Sequence, residues 1–81
     1  MEFDIREKLV ARLVRDIRKK YSDYSAWFSD FSAWCKKKRF VICKVEKLGQ
    51  AEWWIRLGFC CYNYTVLVNT DSKNRLDFDI E

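Results

Sequence analysis

The chain has 81 residues, of which 49% are hydrophobic, 17% aromatic and 35% charged, with two glycines and no proline. This composition excludes collagen-like, linker-like and disordered classes, which lack the apolar residues needed to offset the entropy of ordering. The length predicts one domain covering residues 1–81, with a folding stability of roughly 4–12 kcal/mol.

The start of the sequence favours an intracellular protein. Glu2 and Asp4 stand where a signal peptide carries basic residues, and no apolar core follows them. No uninterrupted apolar run approaches the length that a transmembrane helix needs. We therefore expect a cytoplasmic protein without membrane contact.

Residue types that common catalytic sites require are missing. There is no histidine, which excludes catalytic triads, histidine metal sites and imidazole acid–base chemistry. Gly49 and Gly58 are the only glycines, and neither belongs to a glycine-rich phosphate loop. We predict a protein that is not an enzyme and that binds no cofactor.

The four cysteines, Cys35, Cys43, Cys60 and Cys61, lack a metal-binding spacing. Zinc sites usually contain cysteine pairs about two to four residues apart, and Cys60 and Cys61 would point to opposite faces of a strand. We interpret all four as small buried hydrophobic residues. The alternatives are a metal site and a reactive thiol, for which Cys35 is the candidate because the adjacent cations would lower its pKa.

Apolar residues within residues 3–21 recur at the spacing of one buried helical stripe. The stripe consists of Ile5, Leu9, Val10, Leu13, Val14 and Ile17. Four cations fall on the opposite side of this helix. We call them the cationic ridge: Lys8, Arg12, Arg15 and Lys19.

Residues 22–39 predict a second helix that contains an internal repeat. The sequence SDYSAW at 22–27 recurs as SDFSAW at 29–34, a step of nearly two helical turns. Ser22 is the predicted N-cap, with Asp23 in the first turn. The repeat forms an aromatic seam of Tyr24, Trp27, Phe28, Phe31 and Trp34. We interpret the seam as core, with a base-stacking or cofactor site as the alternative, and a homodimer could cover part of it.

After Arg39 the hydrophobic period changes to that of a strand. Strands are predicted at 40–48, 52–57, 61–69 and 75–81, with a turn at 48–51, a bend or tight turn at Gly58 and a polar loop at 70–74. Val41, Cys43 and Val45 would share one face of the first strand. The sequence therefore indicates an α+β fold, with two N-terminal helices packed on one face of a three- to four-stranded antiparallel meander (ααββββ).

Alternation along the strands separates the two tryptophans of residues 53–54. If Trp53 faces the helices, Trp54 faces away from them. The same outer surface would carry a net charge of −3, from Lys44 and Arg56 against Glu46, Glu52, Asp77, Asp79 and Glu81. An anionic surface with an aromatic residue suits a protein partner better than phosphate. The predicted protein-binding residues are Trp54, Arg56, Glu52, Asp77 and Asp79.

The helical half has the opposite charge. Residues 1–48 carry 13 Lys and Arg against 7 Asp and Glu, whereas residues 49–81 carry 3 against 5. The alternative function is therefore nucleic-acid binding, with phosphate contacts from the cationic ridge and from Lys36, Lys37, Lys38 and Arg39. No recognition helix, zinc finger or aromatic RNA-binding signature accompanies these charges.

These observations favour a small non-enzymatic protein that acts through protein–protein contact. Its size and divided charge are typical of inhibitors, immunity proteins and anti-defence factors of phages or mobile elements. The final strand offers a further binding surface through edge pairing. We expect a protein partner, with nucleic acid and a second copy of the chain as alternatives.

Overall fold

A computed structural model describes residues 2–19, 21–73 and 75–81, with side chains from Ile5 onward. Its elements are α1 (Glu2–Arg18), α2 (Tyr24–Lys37), β1 (Val41–Lys47), β2 (Glu52–Phe59), β3 (Tyr62–Thr70) and β4 (Leu76–Ile80). The strands form one antiparallel sheet in the order β1-β2-β3-β4, which confirms the predicted ααββββ arrangement. Lys20 and Asn74, assigned from the sequence to the first helix and to the loop at 70–74, lie outside the described residues. No helix within the described ranges is both long and apolar enough to cross a membrane.

The hydrophobic core lies between the helices and one face of the sheet, which we call the inner face. Tyr24 stacks on Trp53 with ring centroids 3.9 Å apart, and the ring of Trp27 lies 4.7 Å from that of Phe78. Trp27 and Phe31 of the aromatic seam are fully buried, and its other members are half-buried. The seam is thus packed as core.

The buried side of α1 differs from the predicted stripe. It consists of Leu9, Arg12, Leu13 and Asp16. Val14 and Ile17, which the stripe includes, are 44% and 49% exposed. The helix is rotated because Asp16 is fully buried, where it accepts hydrogen bonds from Arg12 and from the indole of Trp27. Helical periodicity counts only apolar residues, so it missed an ion pair buried among them.

Both ends of α2 are defined by specific hydrogen bonds. The N-cap is Asp23 rather than Ser22, since the Asp23 carboxylate accepts a hydrogen bond of 2.8 Å from the backbone N–H of Ala26. At the other end, Arg39 adopts a left-handed conformation with φ of 65°, and the N–H of Phe40 donates to the carbonyl of Cys35. This turn ends the helix and directs Phe40 into the core.

Two local predictions about the strands are wrong. Gly58 lies within β2, and the turn to β3 is made by Cys60 and Cys61. A Cβ at Gly58 would lie 3.3 Å from the sulfur of Cys43, so the glycine leaves room for that side chain. The register of β1 shifts between Ile42 and Lys44, which places Val41 and Val45 on opposite faces instead of the same one.

Candidate functional site: the outer face of the sheet

The two helices cover only the inner face, so the opposite, outer face of the sheet is an open surface with Trp54 near its middle. Trp54 lies between Glu46 of β1 and Leu67 of β3 in the register of the sheet. Trp54 and Leu67 are both half-buried. The preceding residue, Trp53, points inward onto Tyr24, so the predicted division of the two tryptophans is confirmed.

The five predicted protein-binding residues all lie on this outer face. Glu52 and Arg56 lie two residues before and two residues after Trp54 along β2, and Asp79 lies opposite Leu67 on β4. Asp77 lies opposite Asn69, which is itself the partner of Glu52. Leu67 completes the patch. Leu67 is absent from the predicted binding residues, although the strand alternation of β3 indicates its outward position.

Charge is unevenly distributed over the outer face. Lys44 and Arg56 are register partners, which places both cations on β1 and β2. Asp77, Asp79 and the adjacent Glu81 are exposed along the opposite edge of the sheet. The ammonium group of Lys44 lies 5.8 Å from the centroid of the Trp54 ring. Glu46 and Glu52 lie on the same two strands and balance these cations, so Trp54 lies between a charge-balanced side and an acidic edge.

The carboxylates of β4 also interact with their own backbone. Asp77 accepts a hydrogen bond of 3.0 Å from the N–H of Phe78, and Asp79 accepts one of 2.9 Å from the N–H of Ile80. Two N–H groups of the edge strand are thus satisfied within the chain. This arrangement opposes the predicted use of the final strand for edge pairing, because those N–H groups are not free to bond another strand.

The predicted nucleic-acid residues do not form one surface. Arg12 leaves the cationic ridge because it is only 8% exposed, and its Nε donates to Asp16 at 2.9 Å. Arg12 also lies over Trp34 while Asp16 contacts Trp27, so the two helices are antiparallel. The exposed cluster at 36–39 therefore lies at the opposite end of the helical layer from Lys19.

A basic groove that the sequence did not reveal lies where α1 ends near the β3–β4 loop. It has a volume of about 580 Å³, and its charged lining residues are Arg18, Lys19, Lys73 and Arg75.

Two aspartates hold the cations of this groove in place. Asp71 accepts hydrogen bonds from the backbone N–H groups of Arg75 and Lys73 and from the Arg75 side chain, and these bonds lower the Asp71 pKa. Asp30 contacts Lys19 and Tyr21 on the other side, and both contacts lower its pKa. Half of these cations belong to a loop, where helical periodicity gives no signal.

The prediction of buried cysteines is confirmed for Cys35 and wrong for the other three. Cys35 is buried, whereas Cys43, Cys60 and Cys61 are exposed, and all four are free thiols. Burial raises the pKa of Cys35 to about 12, with a smaller opposing effect of Arg12. The expectation that nearby cations activate this thiol is therefore wrong, because desolvation outweighs their field. Among the described residues, no three metal-ligating side chains come together.

Comparison with protein families, with curated protein sequences and with solved structures finds no match to this chain.

Proposed function

We propose that this protein is a non-enzymatic binding protein that docks on a protein partner through the outer face of its sheet. The observation that carries the proposal is the position of Trp54 on the uncovered face of a sheet whose other face holds the whole core. A protein partner would bury the remaining surface of this indole.

The surroundings of Trp54 support an anchoring role. Interface hot spots are enriched in tryptophan and arginine and are ringed by residues that exclude water. Leu67 flanks Trp54 on β3, and Arg56 lies two residues further along β2 on the same face. The charged residues around them supply a polar rim. This combination is a compact patch with one aromatic centre.

The acidic edge indicates the charge of the partner. Asp77, Asp79 and Glu81 would face a basic surface on the bound protein, and such surfaces commonly serve to bind polyanions. A protein that covers this kind of surface blocks its normal ligand. The proposed role is therefore an inhibitor, which includes the immunity and anti-defence types that the sequence suggests.

The test starts from a partner captured with the wild-type chain and then measures its affinity for variants. Trp54→Ala should weaken binding at least about 30-fold, which corresponds to about 2 kcal/mol. Val14→Ala is the matched control, because it removes an exposed apolar side chain from α1 instead of from the sheet, away from the basic groove. Equal affinity of Trp54→Ala and the wild type would reject the outer face as the interface.

We infer a second candidate function, nucleic-acid binding, from the basic groove. No hydrogen bond or ion pair involves the side chains of Arg18 and Lys73 among the described residues, so both are available to phosphate groups. The negative end of the α1 dipole lies nearby and is offset by Arg15 and Arg18. Phosphate contacts made here would be largely independent of base sequence.

Salt dependence tests this candidate. Binding of a mixed-sequence oligonucleotide should fall steeply as salt rises, and Arg18→Gln with Lys73→Gln should weaken it by about tenfold. Neutralising Lys36, Lys37, Lys38 and Arg39 instead tests the cluster predicted from sequence, at the far end of the helices. Undetectable binding at low salt would exclude the nucleic-acid function.

A further inference from the structure

The edge strand β1 exposes an unusual share of apolar surface. Among the described residues, the exposed large hydrophobic side chains are Val14, Ile17, Val41, Val45 and Leu48. Three of these five lie in β1 or directly after it. Val45, at 42% exposed, points to the inner face, where the helices do not cover it. The concentration at one edge suggests that this edge has a partner.

The backbone of β1 is oriented to accept such a partner. Leu48 donates to the carbonyl of Glu52, and alternation then directs the backbone groups of Glu46 and Lys44 toward β2. Val45 and Lys47 consequently present their N–H and C=O groups to the free edge. No described side chain accepts a hydrogen bond from either N–H. In β4, by contrast, the carboxylates of Asp77 and Asp79 accept hydrogen bonds from the N–H groups at the free edge.

We propose that two copies of the chain pair antiparallel through β1, with Val45 opposite Val45 of the second copy. The two four-stranded sheets would then form one continuous sheet around a two-fold axis. The interface uses the edge of the sheet and leaves both outer faces open. It is therefore independent of the function proposed above, and a dimer would present Trp54 twice.

Charge determines this register. With Val45 opposite Val45, Lys44 of each copy lies opposite Glu46 of the other, and both residues point to the outer face. The two-fold axis produces this pair of opposite charges twice. The neighbouring register would instead place Glu46 of one copy opposite Glu46 of the other. That arrangement is unfavourable because the two carboxylates repel each other. Only the first register matches both the free backbone groups and the charges.

Two features of β1 keep the contact short. The register irregularity between Ile42 and Lys44 ends regular pairing on one side, and Lys47 is a charged residue that points to the inner face. The interface falls at the small end of specific contacts. We therefore expect a weak dimer that forms as concentration rises, without growth into larger assemblies.

Charge reversal with complementation tests the proposal by sedimentation equilibrium from about 10 µM to about 1 mM. Lys44→Glu alone places two carboxylates opposite each other across the interface, and Glu46→Lys alone places two ammonium groups there. Each variant should dimerise at least about tenfold more weakly than the wild type, since the like charges occur twice. An equimolar mixture of the two variants should restore dimers, because in the mixed dimer both carboxylates of one variant lie opposite ammonium groups of the other.

Glu52→Lys is the control, since it reverses a charge on the same outer face but away from the β1 edge, and it should leave dimerisation unchanged. Circular dichroism checks that the variants fold, which we expect because Lys44 and Glu46 are exposed. A wild-type chain that remains monomeric at about 1 mM would overturn the proposal. So would variants that dimerise like the wild type, or a mixture that stays monomeric.

Discussion

At the scale of single residues, the most consequential group is the carboxylate of Asp16. One of its oxygens accepts hydrogen bonds from Arg12 at 2.9 Å and from the indole of Trp27 at 2.8 Å, and the residue is 1% exposed. The same carboxylate therefore joins α1 to α2 and neutralises a buried guanidinium. A buried ion pair adds little net stability when complete, but losing one partner leaves a charge without water or counterion.

Replacing Asp16 should consequently be among the most damaging single changes. We expect Asp16→Ala to lower the free energy of unfolding by about 3–5 kcal/mol, measured by urea denaturation. Asp30→Ala is the matched control, because its contacts with Lys19 and Tyr21 are exposed and screened by solvent, and their loss should change the free energy of unfolding far less. Similar losses for both variants would show that burial of the pair has no energetic importance.

Thiol chemistry should distinguish Cys35 from the other cysteines. Its pKa of about 12 keeps it protonated at neutral and mildly alkaline pH, and the thiolate is the reactive form. Three of the four thiols should therefore react readily with an aromatic disulfide reagent at pH 8, and the fourth only in denaturant. Rapid native reaction of all four would place Cys35 at the surface.

At the scale of elements, the ends of α2 depend on specific local contacts rather than on helix propensity. Asp23 satisfies an N–H group of the first turn, and the left-handed Arg39 closes the last one. Helix N-termini favour a side-chain acceptor because the first N–H groups have no partner within the helix. Ser22 and Asp23 both qualify by residue type, so the backbone conformation decides between them.

Alanine substitutions separate these two adjacent candidates. Asp23→Ala should lower the free energy of unfolding by about 1 kcal/mol because the hydrogen bond to Ala26 is lost. Ser22→Ala should change it by a few tenths of a kcal/mol, as expected for an exposed residue outside the helix. Thermal unfolding followed by circular dichroism measures both. A larger loss for Ser22→Ala would return the N-cap to the position predicted from sequence.

At the scale of the whole molecule, one sheet separates two chemically different surfaces. The inner face meets the helices through aromatic stacking, and the outer face carries Trp54 among charged residues. Adjacent tryptophans in β2 thereby have different surroundings, since Trp53 packs against the core and Trp54 lies on the outer face. The division follows from the pleat of the strand, which sends successive side chains to opposite faces.

This division predicts opposite behaviour for two neighbouring substitutions. Trp53→Ala should lower the free energy of unfolding by about 3 kcal/mol, because it removes the ring stacked on Tyr24 and leaves a cavity. Trp54→Ala should lower it by about 1 kcal/mol, from lost contacts with Leu67 and Lys44. Urea denaturation of both variants provides the comparison. The reverse order would mean that Trp54, and not Trp53, belongs to the core.

The order of the elements and the separation of Trp53 from Trp54 could be predicted from the sequence alone. Both rest on local periodicity: the change near Phe40 from helical to strand spacing, and strict alternation along β2 and β4. Such patterns persist in the fold because each amphipathic element must bury its apolar side. The candidate protein-binding residues followed from the same alternation.

The tertiary structure alone decided the features that depend on contacts between distant segments. Arg12 and Asp16 look like surface charges in the sequence, and their burial depends on contacts with Trp27 and Trp34 of the other helix. The cations next to Cys35 left an activated thiol open as an alternative, and only the packing around it shows that the water a thiolate needs is removed. The basic groove likewise joins Arg18 and Lys19 to Lys73 and Arg75 across more than half of the chain. Periodicity describes one element at a time, whereas desolvation and charge pairing depend on what folds against it.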